Sequence, residues 1–149
     1  MSDHWLHFIP EDPLVQPTQD AADRAVLILR ALAPGADEIA SIFYNKAQFI
    51  DPGGNFQSVA CPHCGTDARD WWRGAMDSAY QRGFADLIVT APCCGARVSL
   101  NDLDYDWPAG FARYRLGAMN ANIGEVSPAD LRSLSDSLGL RLRLVRQRV

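Results

Sequence analysis

Four cysteines are the residues of this chain whose types and spacing could do chemistry. Cys61 and Cys64 lie in the stretch CPHCG, at a C-x-x-C spacing that presents two thiolates to one ion, and Cys93 and Cys94 are adjacent in the stretch APCCG. Thiolates in such turns bind zinc, and they also form the disulfides of redox enzymes. Together the two stretches supply the four sulfur ligands that a tetrahedral zinc site needs.

The stretch CPHCG resembles the knuckle of zinc-ribbon proteins, in which proline follows the first cysteine and glycine follows the second. Aligned on its glycine, APCCG has Ala91 where the first cysteine belongs, whereas Pro92, Cys94 and Gly95 match and Cys93 takes the variable position. The resemblance covers the two cysteine turns, and it implies a structural zinc ion and a rubredoxin-like hairpin formed by the strands predicted on either side of the second turn, ADLIVTAP and ARVSL.

Three interpretations of the cysteines remain open at this level. In the first, which we favour, Cys61, Cys64 and Cys94 bind zinc and Cys93 completes the shell. In the second, the fourth ligand is another donor, for which the candidates are His63, Asp86, Asp102 and Asp104. In the third, the metal has been lost and the thiols pack in a core. A thioredoxin-like redox pair is disfavoured, because Gly65 follows the motif at once where such motifs open a helix.

Motifs for catalysis are missing from the sequence. It contains no H-x-E, H-E-x-x-H or G-x-S-x-G pattern and no phosphate-binding glycine loop, so a structural metal is a better interpretation than a catalytic one. The alternating carboxylates of Asp102, Asp104 and Asp106 are typical of a solvated loop or edge strand. His4 and His7 lie three residues apart on a predicted strand, which places them on opposite faces as surface or rim residues.

Composition and charge narrow the class of protein. The chain has 149 residues, of which 48% are hydrophobic and 21% charged, as in one folded domain. The N-terminal stretch has no apolar run long enough for a signal peptide or membrane span, so we expect a cytoplasmic protein with reduced thiols. A net charge of −4 disfavours nucleic acid as a partner. The arginines near the C-terminus predict an edge strand whose charged side chains are solvated: Arg141, Arg143, Arg146 and Arg148.

The hydrophobic pattern predicts a strand, a helix and a strand at each end of the chain. The first helix is capped by Thr18 and stops at Pro34, and another is capped by Ser127 and stops at Gly139. We therefore predict a single α+β domain over 1–149, with a split βαβ (ferredoxin-like) antiparallel sheet and helices on one face. Residues 56–107 are predicted as a zinc-ribbon-like insertion that contains one helix, starting near Asp67 or Asp70.

These features favour a non-enzymatic, cytoplasmic protein with a structural zinc ion. The ligands of the zinc ion are predicted to be Cys61, Cys64, Cys93 and Cys94. We expect the protein to present a surface to a protein partner, as small bacterial immunity or accessory proteins do. Two alternatives stay open: a zinc- or thiol-dependent enzyme that uses the incomplete cysteine site, and a nucleic-acid-binding zinc ribbon.

Overall fold

The computed structural model describes residues 2–149, which form eight strands, three α-helices and one short 3-10 turn. The strands are β1 (His4–Pro10), β2 (Glu38–Ile50), β3 (Ser58–Ala60), β4 (Ile88–Thr90), β5 (Arg97–Ser99), β6 (Asp104–Asp106), β7 (Gly110–Met119) and β8 (Leu142–Arg148). The helices are α1 (Gln19–Leu32), α2 (Arg69–Gln81) and α3 (Pro128–Leu138), and the 3-10 turn is Leu100–Asp102.

The main sheet has the strand order β2-β7-β1-β8, and all its neighbouring strands are antiparallel. Consequently β1 and β2 run parallel with β7 between them, and β7 and β8 run parallel with β1 between them. Helix α1 connects the first pair and α3 connects the second. The predicted mixture of helices with an antiparallel sheet is confirmed.

One face of this sheet carries the principal core. Alternation along β1 and β7 turns Phe8, Tyr114 and Leu116 toward the helices, where they pack against Leu29 of α1 and Leu134 of α3. All five side chains are fully buried. Both helices therefore lie on the same face of the sheet.

The capping residues begin and end the helices as predicted. The hydroxyl of Thr18 accepts from the amide of Ala21 at 3.1 Å, and that of Ser127 accepts from Asp130 at 3.1 Å. Gly139 ends α3 with φ +70°, a conformation that costs glycine little. No helix within residues 2–149 combines the length and the apolar character needed to cross a bilayer.

Between β2 and β7 the chain builds a smaller unit. Strand β3 pairs with β6 and β4 pairs with β5, as two separate two-stranded sheets. A second core cluster joins this unit to the main sheet, because Phe111 of β7 packs against Phe49 of β2 and Phe84 of the smaller unit, with 5.0 Å between ring centroids in each pair. Most aromatic side chains of residues 56–107 belong to this cluster or pack against it, whereas Tyr80 and Trp107 are exposed.

Arg143 also connects the smaller unit to the main sheet. Strand β8 is an edge strand, as the sequence predicted. Arg143 differs from the expected solvated residue, because its guanidinium donates to the carbonyls of Asn101 at 2.6 Å and Ala109 at 2.9 Å. Asn101 is 5% exposed and accepts from the amide of Phe111 at 2.8 Å. These hydrogen bonds fix the 3-10 turn against the sheet.

His7 was predicted as a surface or rim residue, and this is wrong. It is 3% exposed on the face of the sheet that lacks helices, where its ring stacks on Trp5 with 5.3 Å between centroids. Gly117 lies opposite His7 in the β1–β7 register, and a Cβ there would lie 3.1 Å from both rings, so the rings would have to move by a few tenths of an ångström. The small neighbour on β7 leaves room for the two stacked rings.

Lowering the pH is expected to destabilise the protein through His7. Burial lowers the pKa of His7 from 6.5 to about 4, with Arg115 acting in the same sense and Gln147 and Asp51 opposing it. The unfolded chain therefore takes up the proton first. The contribution of neutral His7 to the free energy of unfolding is fully present above pH 6.5 and is lost as the pH falls toward 4. By pH 4 the loss should be about 3 kcal/mol.

Urea unfolding from pH 7.5 to 4 measures this loss. The free energy of unfolding should fall less with pH for His7→Gln, whose amide can replace both ring hydrogen bonds, than for the wild-type protein. Parallel profiles for the two proteins would contradict this assignment.

Candidate metal centre

Two backbone turns with the same hydrogen bonds position the cysteines. In the first turn, Cys61 donates its amide to the carbonyl of Thr66 at 2.9 Å and accepts from Gly65 at 2.8 Å. In the second, Ala91 donates to Ala96 at 2.8 Å and accepts from Gly95 at 2.7 Å. Both glycines have φ +76°, in the left-handed region that favours glycine.

The equivalence of the turns places Ala91 at the position of Cys61. Ala91 is fully buried and Cys61 is 1% exposed, so the two residues also share their environment. Cys94 corresponds to Cys64, and Cys93 corresponds to the exposed His63. The alignment made on the sequence therefore describes the backbone correctly.

The turns bring the four cysteine sulfurs together. All four Sγ atoms lie within 4.8 Å of one another. The Sγ atoms of Cys61 and Cys94 are 3.8 Å apart, and those of Cys64 and Cys93 are 3.3 Å apart. None of the four cysteines forms a disulfide. This cluster could hold a metal ion.

The separations match those of a small tetrahedral ion. Thiolates at about 2.3 Å from zinc in a regular tetrahedron are about 3.8 Å apart. The Cys61–Cys94 distance equals this value, and the Cys64–Cys93 distance is shorter by about half an ångström, a change within the reach of a χ1 adjustment. Each sulfur can therefore reach one common ion.

Thr66 shapes the chemistry of Cys64, and sequence reasoning missed it. Its hydroxyl lies 3.2 Å from Sγ of Cys64. Donation from that hydroxyl and from the amide of Thr66 lowers the pKa of Cys64 to about 6. Ala96 has the corresponding place in the second turn and provides only its amide. The sequence signal for this role is a hydroxyl residue, Thr66, directly after Gly65 of the first cysteine turn.

The thiols of Cys93 and Cys94 resist ionisation. The pKa of Cys93 is raised to about 12, chiefly because its hydrogen bond with the sulfur of Cys64 favours the protonated thiol. The amide of Ala96 lowers the pKa of Cys94, but desolvation and the nearby sulfurs of Cys61 and Cys64 outweigh it and raise the pKa. Clustered sulfurs do not carry several negative charges unless a cation neutralises them.

The alternative ligands considered on the sequence lie elsewhere. Within residues 2–149, the cysteines are the one group of three or more histidine, cysteine or acidic side chains close enough to share an ion. His63 and the nearby aspartates are outside it. The carboxylate of Asp102 instead lies 3.7 Å from the guanidinium of Arg143.

The position of the C-x-x-C turn differs from that of a redox motif. Cys61 and Cys64 follow the three-residue strand β3, and α2 begins only at Arg69, after Asp67 has formed a bridge with Ala60. Neither thiol therefore lies at the positive end of a helix dipole, the feature that activates thiols in C-x-x-C oxidoreductases.

The chain was compared with known proteins. No protein-family model, no curated protein and no solved structure matches it.

Proposed function

We propose that this chain is a non-enzymatic zinc protein in which Cys61, Cys64, Cys93 and Cys94 bind one structural zinc ion. The observation that carries the proposal is the convergence of the four sulfurs within 4.8 Å. A site with four protein ligands leaves no coordination position for water, and so it is structural. Four thiolates in a tetrahedron suit zinc, with iron as the competing metal.

The zinc ion has a clear structural task in this chain. The two turns belong to separate two-stranded sheets, and each strand has three residues. Such short ladders are marginal in water. A metal bound by both turns cross-links them, and its binding free energy becomes folding free energy for the smaller unit.

Metal analysis of native, untagged protein tests the proposal. We expect one zinc per chain, and thiols that react with a thiol reagent only after chelation. Iron at that stoichiometry would contradict the zinc assignment. Metal-free protein with four reactive thiols would contradict the metal site, and it would support the interpretation in which the cysteines only pack.

Moving the fourth ligand back to its knuckle position is a sharper test. Cys93→Ser should lose the metal, because the second turn then offers Cys94 alone. Adding Ala91→Cys to that variant should restore one zinc per chain, since the backbone of Ala91 has the hydrogen bonds of Cys61. Metal content and melting temperature of the two variants give the result. Full metal retention in Cys93→Ser would remove Cys93 from the ligand set.

The fold itself supports a finer classification. We propose that the main sheet is a ferredoxin-like split βαβ unit with a zinc-ribbon-like segment inserted between β2 and β7. The strand order β2-β7-β1-β8 favours it, because each of the parallel pairs β1/β2 and β7/β8 has one strand of the other pair between its members. The matching knuckle hydrogen bonds favour the ribbon-like part.

We further propose that the protein acts in the cytoplasm by presenting a surface to another protein, as immunity or accessory modules do. Trp107 is the observation that favours this role. It is 37% exposed and lines a 460 Å³ groove together with Trp5 and Glu125. Tryptophan is enriched among residues that dominate binding energy in protein interfaces. Nucleic acid stays disfavoured by the net charge of −4.

Photo-crosslinking in cells tests the partner proposal. A benzophenone amino acid at position 107 should cross-link one defined protein. The matched control is position 27 on α1, where Leu27 is 66% exposed and lies far from the groove in sequence. The same products from both positions, or none from position 107, would contradict the proposed surface.

A further inference from the structure

A second polar cluster lies away from the cysteines, on the face of the main sheet that lacks helices. It lines a cavity of about 290 Å³. Its lining includes six side chains with a polar atom: Trp5, His7, Tyr44, Gln48, Arg115 and Gln147. The volume is at the lower end of the range for small-molecule sites.

Arg115 is held rigidly in this cavity. Its Nε donates to the hydroxyl of Tyr44 at 2.7 Å, and its Nη1 donates to Nδ1 of His7 at 3.2 Å. The guanidinium carbon also lies 5.3 Å from the centre of the Trp5 ring, within cation–π distance. Three side chains from two other strands therefore fix one cation.

The partners of Arg115 are all neutral. Because a guanidinium only donates, Nδ1 of His7 must accept, and the ring proton is then on Nε2, which donates to Gln147 at 3.0 Å. Gln147 in turn donates to the backbone carbonyl of Asp51 at 3.0 Å. The low pKa of His7 agrees with a neutral ring.

The charge of Arg115 has no carboxylate within ion-pair distance among residues 2–149. Among residues 2–149 the ion pairs join Arg69 to Asp67 and Arg143 to Asp102, and neither includes Arg115. The carboxylate of Asp51 accepts from the amide of Gly53 instead. Nη2 and the second proton of Nη1 remain as donors. A fixed, partly buried cation without a carboxylate partner is what an anion site requires.

We propose that this cavity binds a small carboxylate through the Nη1 and Nη2 groups of Arg115. A carboxylate matches the two-pronged donor geometry of a guanidinium and carries the single charge that one arginine can balance. A phosphate group carries more charge and is normally held by additional cations or backbone amides. Tyr44, His7 and Trp5 act as positioning residues, because they orient the guanidinium. The site is independent of the metal centre.

The experiment is a titration of the zinc-loaded protein with the monocarboxylates acetate, propionate and benzoate at constant ionic strength, followed by NMR of the arginine Nε–H and histidine ring signals. At least one of the three should give saturable shifts of the Arg115 and His7 signals. Arg115→Gln should weaken that binding at least about tenfold, and Arg115→Lys should weaken it less. Arg113→Gln is the matched control on the same face of β7, and it should leave the affinity unchanged.

Several outcomes would overturn the proposal. The proposal is wrong if none of the three carboxylates gives a saturable shift of the Arg115 signal in the wild-type protein. This outcome does not depend on whether the variants fold. Equal binding by Arg115→Gln would also overturn the proposal. Saturation by inorganic phosphate at lower concentration than by any of the carboxylates would overturn the choice of ligand class.

Discussion

Cys61→Ser is expected to abolish stoichiometric zinc binding and to destabilise the protein strongly. The sulfur of Cys61 lies 3.8 Å from that of Cys94, so it links the two turns directly. At zinc a thousand-fold above its dissociation constant, the bound ion contributes about 4 kcal/mol to the free energy of unfolding. Elemental analysis and urea unfolding with and without zinc would measure both losses.

Cys64→Ser is the matched variant for this experiment. Cys61 is buried and Cys64 is exposed, so serine leaves a buried hydroxyl only at position 61. If the metal is responsible, both variants should be about as unstable as chelated wild-type protein, with a further cost of about 1 to 3 kcal/mol at position 61. Wild-type stability in Cys64→Ser would show that the thiols act through packing.

Phe111→Ala is expected to cost about 3 to 5 kcal/mol, the range for removing a buried phenylalanine ring. The ring of Phe111 is fully buried between Phe49 of the main sheet and Phe84 of the smaller unit. Its removal should loosen the smaller unit more than the helices. Chemical denaturation gives the total loss, and hydrogen exchange of residues 56–107 gives its location.

Leu134→Ala is the control for that location. Leu134 is also fully buried, but it lies on α3 in the core between helices and sheet. The substitution should cost about 2 to 5 kcal/mol and leave local exchange in 56–107 unchanged. Equal protection changes from both variants would show that the two clusters unfold as one unit.

Short-range signals in the sequence predicted much of this fold. The helix caps form hydrogen bonds with backbone groups within four residues, so the capping roles of Thr18, Ser127 and Gly139 could be predicted from the local sequence. The knuckle similarity of CPHCG and APCCG is local in the same way. The strands at the two ends of the chain followed from the alternation of hydrophobic residues.

Features that depend on distant contacts could not be predicted. Arg143 resembles its neighbouring arginines in sequence, and it differs from them because the 3-10 turn lies beside β8, where the carbonyl of Asn101 accepts from its guanidinium. His7 is buried because Gly117, far along the chain, leaves room for its ring. The distances between the cysteine sulfurs likewise depend on how α2 and the strands around it fold back. The composition of the candidate site was therefore predictable, and its geometry was not.

The exposure of Cys64, Cys93 and Cys94 has a kinetic consequence. An ion enclosed by protein leaves only when the chain opens, whereas accessible sulfurs can be displaced one at a time by an incoming small ligand. Cys93 lies at the exposed tip of its turn, whereas the equivalent of Cys61 in that turn, Ala91, is buried. The residence time of the proposed zinc ion should therefore depend on the concentration of competing thiols, even at high affinity.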